Sequence, residues 1–184
     1  PISLLLLDMG LLGRKERLQI SGLADTLERL KKMMDLFNWQ DWHDLYPVVF
    51  NEVPELEMSL VLENESMRIF SSPVQHSIPT IGLRMEDMQS GKTVAYSADT
   101  QPTEQMVRLA TGADALFHEA TGALPGHTSP AQAGEIARQA GVGALYLIHY
   151  SLDEAGQEQA IKASQEKFGG PVYLARDDMM LEFS

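Results

Sequence analysis

At Thr100 the chain changes rhythm, and that change limits what it can fold into. Upstream runs a series of short strand-like segments, "VVFNEV", "MSLVLEN", "SMRIFSSPVQ", "TIGLRMED" and "KTVAYSA". Their turns are marked by "NES", "SIP" and "QSGK". Downstream, helix and strand alternate. "PTEQMVRLATG" reads as a helix with Pro102 in its first turn and Gly112 at its end, and "DALFHEA" as a strand. "SPAQAGEIARQAG" is a helix opened by Ser129 and Gln132 at capping-box spacing, with Pro130 in first position. "GALYLIHYS" is a buried strand, Ser151 and Glu154 form a second capping box before the next helix, and "PVYLA" and "MMLEF" close as strands. Near the start, residues 2 to 12 read as an apolar helix, "RLQISGL" as a strand and turn, and "LADTLERLKKMMDLF" as an amphipathic helix. The whole is an α/β pattern, 1–184 as a single domain.

Bulk properties remove several classes. With no cysteine, disulfides and thiolate zinc sites are excluded, so a metal must be held by His, Asp or Glu. The longest apolar run is far short of the roughly 20 residues that span a bilayer. No membrane attachment is expected, no signal peptide is visible, and the absence of cysteine fits a reducing, cytoplasmic setting. A net charge of −12 argues against a generic nucleic-acid surface. It leaves a phosphate substrate open where metal ions supply positive charge locally.

Imidazole and carboxylate groups gather at strand ends. His76 follows "SSPVQ", Asp99 follows "TVAYSA", His118 and Glu119 follow "ALF", and His149 follows "ALYLI". In α/β layers, strand ends beside loops are where ligands and metals bind. Imidazoles with a carboxylate suit zinc or manganese. Two metals about 3.5–4 Å apart would activate a water and steady charge on a phosphoryl or acyl centre. A histidine off the metals could protonate the leaving group. Each residue also has a plainer reading. A histidine at a strand end is commonly structural, and Asp99 could be an Asx-turn or helix cap. His118 and Glu119 could be a polar strand exit, and His127 could sit beside a helix N-terminus. His43 reads as surface or structural, Trp39 and Trp42 as packing anchors, and Lys31 and Lys32 as a solvated helix face.

Four stretches occur in a particular order: "VQHSIPTIGLRMED", "VAYSADTQPTEQMVRLATGADALFHEATG", "GHTSPAQAGEIARQAGVGALYLIHYS" and "LARDDMMLEF". That order resembles the ribonuclease Z branch of the metallo-β-lactamase superfamily, most specifically across residues 74 to 151. The resemblance implies a four-layer αββα sandwich and a dinuclear metal-dependent phosphodiesterase with two divalent ions, zinc or manganese. It further implies an RNA or small phosphodiester substrate, and a homodimer. By position, His76 resembles a ligand of the first metal, Asp99 in "SADT" the bridging carboxylate, and His149 a ligand of the second metal. Glu119 of "HEAT" resembles the residue that orients His127, and His127 the leaving-group proton donor; His118 is then structural.

Some family features are missing. No H-x-H-x-D-H motif occurs in these residues, so the expectation is a fold incomplete at the N-terminus. Such a chain keeps three of the ligands, holds metal weakly, and is poorly soluble or oligomeric through unpaired sheet edges. Ala98 stands where the family has glycine, which is tolerable if that position does not need φ > 0. After His149, "HYSLDEAG" offers acid where the branch carries an Arg-Tyr pair, and no basic arm is visible between residues 24 and 55. Two other readings therefore stay open: hydrolysis of a lactone, sulfate ester or cyclic phosphodiester, and a non-catalytic binding or scaffolding subunit.

Overall fold

The computed structural model describes residues 2–42 and 45–182; His43 and Asp44 lie outside the described residues, as does Phe183 of "MMLEF". The chain gathers into two compact units, Pro1–Pro54 and Glu55–Ser184.

In the first unit, helix α1 (Ile2–Leu11) buries Leu6 against Met34 and Tyr46. The Tyr46 hydroxyl donates to the Leu6 carbonyl at 3.1 Å, so the apolar cluster has its one buried phenol satisfied. Strands β1 (Leu18–Gly22) and β2 (Val48–Glu52) run parallel, Ile20 opposite Phe50. They are joined through α2 (Ala24–Asp35), which buries Leu27 and Met34 and leaves Lys31 and Lys32 exposed. Lys32 pairs with Glu28 one turn back, and the Lys31 ammonium lies over the Phe50 ring. A short 3-10 turn, Trp39–Asp41, follows α2. Trp39 and Trp42 both pack on the cluster, Trp39 edge-on to Phe50.

The second unit is a seven-stranded sheet. Its strands are β3 (Ser59–Glu63), β4 (Met67–Val74), β5 (Thr80–Asp87), β6 (Thr93–Tyr96), β7 (Ala115–Glu119), β8 (Ala144–Ile148) and β9 (Val172–Leu174), side by side in chain order. The change of rhythm at Thr100 becomes a change of pairing. β3 to β6 are joined by short connections and pair antiparallel. β6 to β9 pair parallel. Each parallel step needs a crossover long enough for a helix. These crossovers are α3 (Glu104–Ala110), α4 (Pro130–Ala140) and α5 (Glu154–Phe168).

Alternation along the parallel strands builds two different faces. Ala95, Leu116, Leu145, Leu147 and Val172 are buried in one cluster with Met106, Leu109, Ile136 and Ala160 of the helices. The intervening residues Tyr96, Phe117, Tyr146 and Tyr173 stand in register across four strands on the other face. Phe117 stacks on Tyr146 at 4.9 Å and Tyr146 on Tyr173 at 5.1 Å. The sheet of this unit is thus apolar on both faces, with helices against one of them, in keeping with the α/β class expected.

Three local expectations change. Pro102 precedes α3 rather than lying in its first turn, because Thr103 is the N-cap and its hydroxyl accepts from Met106 N. The cap of α5 is Asp153, which accepts from Gly156 N at 2.8 Å, and Ser151 donates to that carboxylate. A carboxylate at that place also meets the positive end of the helix. Residues 179–182 form no strand, since a turn from Arg176 to Met179, with Asp178 at φ 60°, carries the chain off the sheet. The capping box at Ser129 and Gln132 forms as spaced. Among the described residues no helix is long and apolar enough to cross a membrane.

Candidate metal centre

Strand direction gathers the candidate residues. β5 reverses β4 and β6 reverses β5, so β4 points the same way as β6, β7 and β8. His76 two residues past β4, Asp99 three past β6, Glu119 closing β7 and His149 one past β8 therefore emerge at a single edge. The loop after β7 brings His127 over the same edge.

The side chains meet there. One nitrogen or oxygen each from His76, Asp99 and His127 lie within 4.8 Å of one another, as do those of Glu119, His127 and His149. His149 Nδ1 is 3.0 Å from Asp99 Oδ1. The rings of His76 and His127 lie 5.0 Å apart and those of His127 and His149 5.7 Å, both edge-to-face. Each of these three imidazoles has Nδ1 facing an oxygen. For His76 the acceptor is the Gly126 carbonyl at 2.8 Å, for His127 it is Glu119 Oε1 at 3.1 Å, and for His149 it is Asp99. In a neutral ring, an Nδ1 facing an oxygen donates and leaves the lone pair on Nε2, the tautomer a cation requires.

Glu119 is fully buried, and its two oxygens are spoken for. Oε1 accepts from Thr100 N at 3.2 Å, Thr128 N at 2.9 Å and His127 Nδ1, and Oε2 accepts from Thr121 N at 2.9 Å. A carboxylate so engaged orients its neighbours and has little left for a metal. His118 is on the opposite face of β7, buried beside the helices, with Nδ1 donating to the Glu119 carbonyl at 2.8 Å. Burial lowers its pKa, outweighing the opposing pull of Glu119, and keeps the ring neutral. It takes no part in the cluster.

Two backbone features were not anticipated. Ala98 has φ 54° and His149 φ 49°, so the turns that present Asp99 and His149 both pass through the left-handed region. The condition under which alanine would sit at position 98 without strain is not met: the chain turns out of β6 at once to deliver Asp99, and alanine takes the conformation that glycine adopts without strain. Sequence reasoning also passed over Thr100 and Thr128, both fully buried. The Thr128 hydroxyl donates to the Thr100 carbonyl at 2.5 Å, and Thr100 Oγ1 accepts from Gln75 N at 3.1 Å. Their signal was a threonine directly after each of two candidates, in "DT" and "HT".

The donor set fits a borderline divalent cation: imidazole nitrogens with their lone pairs free, one partly exposed carboxylate, and no sulfur. A hollow beside His149, lined also by Phe117, Tyr150 and Leu152, contains Arg176 as the one arginine or lysine among its lining residues.

Comparison with known proteins places the chain in a family. The family described as "Beta-lactamase superfamily domain" matches residues 3–150 and so runs through both units. Ribonuclease Z of Azobacteroides pseudotrichonymphae is 29% identical, covering 93% of this chain and 71% of that protein. Ribonuclease Z of Methanothermobacter thermautotrophicus is 27% identical, covering 94% and 71%. Among solved structures, the human short-form tRNase Z superposes with a TM-score of 0.74 at 21% identity, covering 98% of this chain and 73% of that one. The metallo-beta-lactamase fold protein YhfI of Bacillus subtilis gives 0.67 at 21% identity, covering 87% and 63%. These two likenesses are of fold. The chain therefore belongs to the beta-lactamase superfamily, as a metal-dependent hydrolase with ribonucleases Z among its relatives.

Proposed function

We propose that the chain is the catalytic part of a phosphodiesterase that works with two divalent cations, zinc or manganese, and that both units belong to one hydrolase domain. The observation that carries this is the convergence of His76, Asp99, His127 and His149 at one sheet edge, each imidazole with Nδ1 already committed. His76, Asp99 and His149 would hold the cations. Bound there, divalent cations supply Lewis acidity at the phosphoryl centre and acidify water. The chain's own part is positional and protonic. Glu119 fixes His127 through Nδ1 and leaves the Nε2 lone pair facing the site, where it would take up the proton released by the attacking water and then pass that proton to the leaving oxygen as its bond to phosphorus breaks.

The ribonuclease names of the relatives favour RNA as substrate. A smaller ester is the second reading, supported by Asp153 and Glu154 shortly after His149, where a polyanion would meet repulsion. Pre-transfer RNA and a panel of small phosphodiesters, lactones and sulfate esters separate the two, strong cleavage of the RNA deciding against the second.

The roles are tested by leaving group. Asp99→Ala and His149→Ala should abolish hydrolysis of bis-p-nitrophenyl phosphate, and a chelator should do the same reversibly on return of zinc or manganese. His127→Ala should cost about 10²- to 10⁴-fold with an alkyl leaving group, yet little with p-nitrophenolate, which departs without a proton. Equal losses on both substrates would remove His127 from the donor role, and unchanged turnover in Asp99→Ala would remove the metal assignment.

A further inference from the structure

Three consecutive residues of the loop after β7 each reach a different strand end. The Gly126 carbonyl accepts from His76 Nδ1 beyond β4, at 2.8 Å. His127 Nδ1 donates to Glu119 at the end of β7, at 3.1 Å. The Thr128 hydroxyl donates to the carbonyl of Thr100, the residue after Asp99 beyond β6, at 2.5 Å. Thr100 in turn receives Gln75 N on its hydroxyl, and Gln101 N donates to the Gln75 carbonyl at 2.8 Å. The residues next to His76, Asp99 and His127 are thus bound to one another, and Gly126, Thr128 and Thr100 are all buried.

We propose that Gly126–His127–Thr128 is a clasp that sets the spacing and the tautomers of the site, with Thr128 a positioning residue. Thr128 does not offer a donor to the cleft, because its hydroxyl proton is spent on the Thr100 carbonyl. Its effect runs through that carbonyl to Asp99 on one side, and through its own backbone to His127 on the other. Gly126 acts by shape. At φ +86° it occupies a conformation that side-chain-bearing residues rarely adopt, and a Cβ there would lie 2.9 Å from His76 Nδ1. Only glycine lets this carbonyl come close enough to hold the imidazole proton on Nδ1 and leave Nε2 bare. The role in catalysis rests on the hydrolase reading above; the structural clasp does not.

The test uses Thr128→Val, Thr128→Ser and Gly126→Ala in the full chain. The first readout is the ¹⁵N spectrum of the histidine rings in metal-free protein, at a pH where they are neutral. The wild-type chain should show His76 and His127 protonated on Nδ1. Gly126→Ala should lose that signature at His76, and Thr128→Val should shift it at His127, with Thr128→Ser restoring it. The second readout is zinc affinity by competition with a chelator, which should fall about 10- to 100-fold in Thr128→Val and recover in Thr128→Ser. Wild-type ring spectra and zinc affinity in both Thr128→Val and Gly126→Ala would overturn the clasp. Should Thr128→Val fail to fold, Gly126→Ala and Thr128→Ser decide alone, wild-type spectra in the former overturning the proposal. Altered spectra in a protein that hydrolyses no phosphodiester would keep the clasp and defeat the functional reading.

Discussion

Ala98 and His149 show how much of this site is set by single residues. A non-glycine residue in the left-handed region costs roughly 1–2 kcal/mol, and the site contains two such turns beside candidate ligands. Nothing in "SADT" or "LIHYS" announces it, because alanine and histidine carry no mark of positive φ. The residue types were legible; the backbone that aims them was not. His118 offers a measurable consequence of burial. Its folded pKa lies below the ordinary 6.5 and the unfolded chain's does not, so below about pH 6.5 the unfolded state binds the extra proton. The neutral ring's contribution is fully present above that value and is lost as pH falls beneath it, by up to about 1.4 kcal/mol per pH unit. Urea denaturation between about pH 7.5 and about pH 5.5 should show the wild-type chain losing more stability than His118→Leu, whatever the variant's starting point. Parallel pH profiles would show that His118 ionises as freely folded as unfolded.

Among the elements, α4 was the most legible. Ser129, Pro130 and Gln132 carry cap, first-turn proline and reciprocal acceptor at the spacing the motif demands, and the box forms. The same spacing at Ser151 and Glu154 misled, because Asp153 lies directly before the first turn and its carboxylate also meets the positive end of the helix. "MMLEF" misled for another reason: its apolar content suits a strand, yet the turn at Asp177 and Asp178 leads it past β9, the last strand of the sheet. Packing between helices was not legible either. Gly134 reads as a weak point in α4, where alanine would ordinarily gain about 1 kcal/mol of helix propensity. Here a Cβ would come within 2.3 Å of the Ser164 carbonyl oxygen in α5, whose hydroxyl donates to the Pro130 carbonyl. Gly134→Ala should therefore destabilise the protein by roughly 1–3 kcal/mol in urea titration, opposite in sign to the propensity rule. A gain in stability would show that α4 and α5 can separate freely.

For the molecule as a whole, the division at Thr100 was the part of the architecture most plainly written in the chain, since short turns can only return a strand while helical crossovers repeat its direction. What composition could not convey is that the sheet is apolar on both sides. Tyr96 and Tyr173 are 39% and 46% exposed at the two ends of the aromatic row. A polypeptide of these 184 residues should accordingly sediment above monomer mass, and Tyr96→Lys with Tyr173→Lys should shift it toward the monomer. A wild-type chain sedimenting as a monomer would show that the row needs no cover.

The shared heading of β4 and β6 has a consequence for how such a protein can vary. His76 and Asp99 meet because two reversals separate their strands, and two reversals cancel. Longer hairpins and longer helices leave that cancellation undisturbed. Gaining or losing one strand in the meander would not be tolerated so easily: it would send His76 to the far rim while every neighbouring residue stayed correct. The chemistry is thus tied to parity, to an even count of turns between two side chains, and not to any particular distance along the chain.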